Sequence, residues 1–168
     1  MTSKHRVLAL LVGVGLMAAA APGRAQGAGP YQFHSLTPCR VVDTRNAGTL
    51  VGAYFGILTS GVEKVYPVQG NCNVPVGAKA VTVNVTAIGP TNQGRLTVYP
   101  SGIATPVVST INFPPGTTNL ANGAIVPLSA GVACPGGFVP ATCDFAVMPF
   151  VVGTGQVNLV LDVTGYFQ

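Results

Sequence analysis

Charge is what this sequence has least of. Its 168 residues hold eight Lys and Arg and four Asp and Glu, and three of the cations, Lys4, Arg6 and Arg24, stand near the N-terminus. From residue 26 onward Arg40, Arg45, Lys64, Lys79 and Arg95 face Asp43, Glu63, Asp144 and Asp162, a net charge of +1. Nucleic-acid binding needs a basic stripe that displaces counterions from phosphates. Five scattered cations do not make one, so nucleic acid is excluded as a partner. Tryptophan is absent, which removes the largest aromatic platform for a sugar ring. Beyond His5 the only histidine is His34, and no Cys-x-x-Cys spacing occurs, so a metal centre lacks a ligand set and no cofactor is implied. Missing too, beyond the first 25 residues, is any helical repeat that persists through two turns without Gly or Pro. That excludes crossover helices and with them a parallel sheet.

The one long apolar run, Val7 to Ala21, follows Lys4, His5 and Arg6 and ends in the small-residue stretch Ala-Pro-Gly-Arg-Ala. This is the pattern of a secretory signal peptide. The run has 15 residues, short of the roughly 20 that span a bilayer. Cleavage is expected after Ala25, with Gly27 as the alternative. The expected organisation is a signal peptide over residues 1–25, a short linker over 26–32 and a single domain over 33–168. No Cys near the cleavage site accepts a lipid and no later segment suits a membrane helix. The product is therefore expected to be extracellular, periplasmic or loosely held at the cell surface, with no membrane contact once the signal is removed.

What is present is alternation. Val81, Val83, Val85 and Ala87 alternate with Thr82, Asn84 and Thr86; Leu96 and Val98 alternate with Arg95, Thr97 and Tyr99; Ile111 and Phe113 alternate with Thr110 and Asn112. Period two is the mark of a half-buried strand. Val-rich runs bounded by Gly, Pro and Asn place further strands near 38–44, 62–68, 122–128, 144–151 and 156–164. Gly-Pro-Thr-Asn-Gln-Gly at 89–94 reads as a hairpin loop. The fold class that follows is all-β: an antiparallel β-sandwich of about eight strands, with a jelly roll among its arrangements.

Four cysteines behind a signal peptide make two disulfides, in one of three connectivities. Cys39 with Cys72 and Cys134 with Cys143 are favoured, the second because its Pro- and Gly-rich loop has little core of its own. Charges cluster in Thr-Pro-Cys-Arg-Val-Val-Asp-Thr-Arg at 37–45. In a straight strand Arg40 and Arg45 lie on opposite faces and cannot share a partner unless the strand bends. Asp162 sits opposite the Leu159, Leu161 and Val163 face, and a buried ion needs a partner. Arg40 with Asp162 is the expected pairing, a structural clasp between the first and last strands. Asp43 is expected to turn back onto the main chain of Thr44 and Arg45.

Together with Ala-Val-Thr-Val-Asn-Val-Thr at 80–86, Ser-Thr-Ile-Asn-Phe-x-x-Gly at 109–116 and Leu-Asp-Val-Thr-Gly-Tyr-Phe at 161–167, that motif resembles a family of secreted bacterial surface β-domains, often found as repeated modules. The resemblance covers residues 33–167. It implies an extracellular module and carries no enzyme activity, substrate or cofactor. The chain departs from the family pattern in its Cys134–Cys143 insertion and in holding a single copy.

Three functions compete. A glycoside-active enzyme would use Asp43 and Asp162 as its carboxylate pair, but no Gly-x-Ser-x-Gly elbow or free thiol supports catalysis, and a non-enzyme is expected. A carbohydrate or cell-wall binding module would use amide, hydroxyl and aromatic side chains on an exposed strand face, for which Thr82, Asn84, Arg95, Thr97, Tyr99, Thr110 and Asn112 are the candidates. A structural or adhesive surface module, in contact with its own copies or with a surface polymer or glycan, fits the low charge and abundant valine and leads the three.

Overall fold

The computed structural model describes residues 29–46, 56–134 and 142–168. The expected signal peptide and the first part of the expected linker lie outside the described residues. The main chain of Gln32 already pairs with that of Gln168, and the β unit runs from Tyr31 to Gln168.

The described residues form eleven antiparallel strands, in chain order: β1 (Phe33–Asp43), β2 (Leu58–Thr59), β3 (Lys64–Tyr66), β4 (Ala80–Ile88), β5 (Gly94–Pro100), β6 (Ile111–Phe113), β7 (Asn119–Pro127), β8 (Val132–Ala133), β9 (Thr142–Cys143), β10 (Phe145–Val151) and β11 (Gln156–Phe167). One sheet has the order β1-β11-β4-β7, with β2 added beside β11; the second has the order β3-β10-β5-β6; β8 and β9 form a small ribbon. The strands not expected from the sequence are the two-residue β2, β8 and β9, too short to show any periodicity.

Set those three aside and the pairing has a simple logic. The first long strand pairs with the last (β1·β11), the second with the second-last (β3·β10), β4 with β7 and β5 with β6. The chain is one long double ribbon, wrapped so that β11 also lies against β4 and β10 against β5. That is the jelly-roll arrangement of a β-sandwich.

The wrap corrects one expectation. β4 and β5 do not form a hairpin; they belong to opposite sheets, and the 89–93 segment crosses between them. Gly89 donates its N–H to the Thr118 carbonyl and Thr91 to that of Gln156, while Thr91 Oγ1 accepts the Gln156 N–H. Turn-forming residues fix a reversal of direction, but not whether the next strand pairs with the last one or crosses the core.

Inward side chains of both sheets meet in one core. Val81, Val83, Val85 and Ala87 of β4 and Leu159, Leu161 and Val163 of β11 face Leu96, Val98, Ile111, Phe113, Phe145 and Val147 of the second sheet. On β4 and β11 the outward positions alternate with these and stay half-exposed, except Val160, which is buried. Near the end of β11 a register shift sets Gly165 opposite Thr82, and the Phe33 ring lies where a Cβ on Gly165 would stand, 2.5 Å from it.

Candidate functional site

The charged motif of β1 sits where that strand bends. Arg40 pairs with Asp162 and Val42 with Leu161, so one residue is extra between them. The irregularity buries Val41 and Val42 together and returns Asp43 to the side of Arg40. In a straight strand the two would be on opposite faces. The bend allows what alternation forbids, and both arginines approach one acid. Arg45 makes a bidentate contact, Nη2 to Asp43 Oδ2 at 2.7 Å and Nε to Oδ1 at 2.9 Å, and its main-chain N–H reaches Oδ1 at 3.1 Å. Arg40 Nη1 lies 3.6 Å from Asp43 Oδ2.

Arg40 also forks onto Asp162, Nε to Oδ1 at 2.8 Å and Nη2 to Oδ2 at 3.2 Å. Their side chains keep 47% and 23% of their exposure, against 1% for Asp43. The expectation of a buried Arg40–Asp162 pair is therefore corrected: the buried charge is Asp43, because Val41 and Val42 draw β1 into the core there. Exposed ion pairs contribute about 1 kcal/mol or less. Arg40→Ala and Asp162→Ala are each expected to shift the urea midpoint only slightly, Arg40→Ala the more because it loses contact with both acids.

Hydrogen bonding from the Arg45 side chain holds the Asp43 carboxyl below its ordinary value, and the Asp162 carboxylate raises the Arg40 guanidinium. A carboxyl lowered in the folded state contributes stability that is complete above its ordinary value of 3.8 and is lost as pH falls through the folded value. Unfolding free energies measured from about pH 5 to pH 2 should therefore fall less steeply in Asp43→Asn than in the wild type. Parallel curves would remove Asp43 from the account.

Around this clasp the outer face of the first sheet is polar but almost uncharged. Asn84 stands beside Asp162 in register, and Thr82 and Thr164 share a hydrogen bond at 3.0 Å. Pro38, Arg40, Asn84, Asp162 and Thr164 line a shallow depression there.

The seven candidate binding residues do not form one face. Thr82 and Asn84 are on the outer face of the first sheet; Arg95, Thr97, Tyr99 and Asn112 belong to the second, on the far side of the sandwich, with Thr110 just before β6. Thr97 and Tyr99 are also closed to solvent, at 0% and 2% exposure. The chain after β5 folds back over them: Thr97 Oγ1 donates to the Val108 carbonyl at 2.6 Å, Thr110 Oγ1 accepts the Val98 N–H at 2.9 Å, and the Tyr99 hydroxyl meets Glu63 and Thr105. Burial, with the Glu63 contact, pushes the Tyr99 phenol up. Arg95 stacks on Phe150 with its guanidinium carbon 4.2 Å from the ring centre, and Asn112 bonds Ser109. Alternation says which way a side chain points, not which sheet it points from or what lies above it.

Sequence reasoning passed over Asp144. It is completely buried, and its carboxyl accepts the N–H groups of Val68 at 2.6 Å and Gln69 at 2.8 Å, with the Gln69 side-chain amide at 2.7 Å. Gln69 Oε1 in turn accepts the Gly77 N–H. The available signal was an acid set between a disulfide Cys143 and the apolar run from Phe145. Both disulfides, Cys39–Cys72 and Cys134–Cys143, are formed. Among the described residues no three His, Cys, Asp or Glu gather as metal ligands, and no helix is long and apolar enough to cross a membrane. No protein-family model, curated protein or solved structure matches the chain.

Proposed function

We propose that the chain is a secreted, non-catalytic structural or adhesive module that works by contact through the outer face of the β1-β11-β4-β7 sheet. The fate of its acids carries this reading. All four carboxyl groups of the sequence are engaged in holding segments together: Asp43 by Arg45, Asp162 by Arg40, Asp144 by the main chain at 68–69, and Glu63 by the Tyr99 hydroxyl. A glycoside-cleaving pair needs both carboxyl groups open to the sugar across a cleft, whereas the Asp43 side chain is buried and both its oxygens are bonded by Arg45. Two disulfides suit an oxidising compartment. What the first sheet leaves free is a half-exposed field of Thr and Asn whose one ion pair cancels, and low net charge lets such surfaces approach without repulsion.

A carbohydrate or cell-wall binding module is the second reading, favoured by the depression at Pro38, Arg40, Asn84, Asp162 and Thr164, where guanidinium, carboxyl, amide and hydroxyl groups converge as sugar hydroxyls require. Light scattering over a concentration series, beside pull-down with peptidoglycan, cellulose and chitin, separates the two. Thr82→Lys with Asn84→Lys should weaken polymer binding through this face. A protein that stays monomeric and ignores every polymer, or that cleaves a glycan, would sink the proposal.

A further inference from the structure

Among the described residues the two large sheets have four edges, and three of them are blunted. The β1 edge carries Pro38, Arg40 and two register irregularities; β3 is three residues long, between Glu63 and Pro67; β6 is three residues long and runs into Pro114 and Pro115. These are the usual devices against edge-to-edge pairing. β7 has none along its length. It is nine residues, Asn-Leu-Ala-Asn-Gly-Ala-Ile-Val-Pro, without a charge, paired to β4 through an unbroken register, with a proline only at its last position.

The free groups of β7 can be assigned. In an antiparallel strand the N–H and C=O of one residue point to the same side, and neighbouring residues alternate. On the β4 side Leu128 donates to the Lys79 carbonyl and the Thr118 carbonyl accepts from Gly89, so the even-numbered residues face β4. Asn119, Ala121, Gly123 and Ile125 therefore present N–H and C=O to the open edge, and β7 has β4 as its one strand neighbour among the described residues.

We infer that β7 is a docking edge for β7 of a second copy of this chain, antiparallel about a two-fold axis at Gly123. The odd positions are symmetric about that residue. Gly123 meets its own copy, and small Ala121 lies opposite Ile125, which is 62% exposed in the single chain. At each rim Pro127, lacking an N–H, lies opposite Asn119, which can still donate to it. A two-fold interface uses the same patch twice and must complement itself; this edge does so in backbone, side-chain size and charge. The pairing would join two β1-β11-β4-β7 sheets into one continuous sheet. A single strand pair is small beside the roughly 1,200–2,000 Å² of stable complexes, so association is reversible and concentration-dependent.

This inference rests on the contact reading above and is tested apart from it. Sedimentation velocity is run on the protein purified from its host, both disulfides intact, over a concentration series. A monomer–dimer equilibrium is expected. Ala121→Lys with Ile125→Lys, on the exposed outer face, sets like charges opposite each other at both symmetric positions and should weaken the dimer by about tenfold. Ala121→Glu with Ile125→Lys sets opposite charges there and should restore it. A dimer indifferent to both pairs of substitutions, or a monomer that still binds a polymer, overturns the strand pairing and leaves the contact reading standing. A monomer that binds nothing overturns both.

Discussion

Asp144→Ala is expected to cost the fold about 3–5 kcal/mol, measured as the unfolding free energy in urea. The substitution strands the Val68 and Gln69 N–H groups and the Gln69 side-chain amide, all bonded to one carboxyl group that solvent does not reach. A buried donor without a partner costs about 1–3 kcal/mol, and a domain of this size has about 5–15 kcal/mol in all. Asp144→Asn should cost less, about 1–2 kcal/mol. Its amide can replace one oxygen only if Gln69 turns its own oxygen towards it, and that oxygen is already bonded to the Gly77 N–H. If both variants lie within about 0.5 kcal/mol of the wild type, the range of ordinary surface changes, Asp144 is not the anchor described.

The second large effect is expected at the same segment. Converting Cys39 and Cys72 together to Ser should cost about 3–4 kcal/mol in the chain-entropy picture, because the bridge closes a long stretch, with a sequence separation of 33. It holds a turn in which Cys72 and Asn73 both take left-handed conformations, at φ 51° and 60°, where residues with a Cβ are strained. The turn is thus tied at two points, to β1 through Cys72 and to Asp144 through residues 68 and 69. Loss of one tie makes the other less effective, so the combined variant should cost less than the sum of the two. Additive costs would mean that the ties act on separate parts of the fold. Thiol titration of the denatured wild-type protein should find no free thiol.

Of these two anchors the Cys39–Cys72 bridge was legible in the sequence and Asp144 was not. The strand of Val81 to Ala87 could be read from alternation alone, because one of its faces is core and the other half-exposed, so burial writes itself into every second residue. The meeting of Arg40 and Asp162 was legible for a related reason: few charges leave few partners. Asp43 was half-legible. The need for a bend was visible in the spacing of Arg40 and Arg45, but the bulge that supplies it depends on Val41 and Val42 both turning inward.

Other features depend on tertiary wrapping, which periodicity does not encode. Thr97 and Tyr99 have the alternation of an exposed face, yet the 101–110 segment covers them. β4 and β5 have the turn chemistry of a hairpin, yet they lie in opposite sheets. Asp144 is isolated in sequence from its partners at 68 and 69, so no local pattern announces them.

The amide-exchange footprint of the protein in contact is the measurement that bears most directly on the central claim, comparing dilute protein with concentrated protein and with protein bound to peptidoglycan. Contact through the first sheet should slow exchange in β4, β7 and β11, at Thr82, Asn84, Ile125 and Thr164 above all, and leave β5 and β10 unchanged. Slowing confined to β5, β10 and the 101–110 segment, or no slowing under any condition, would contradict the account.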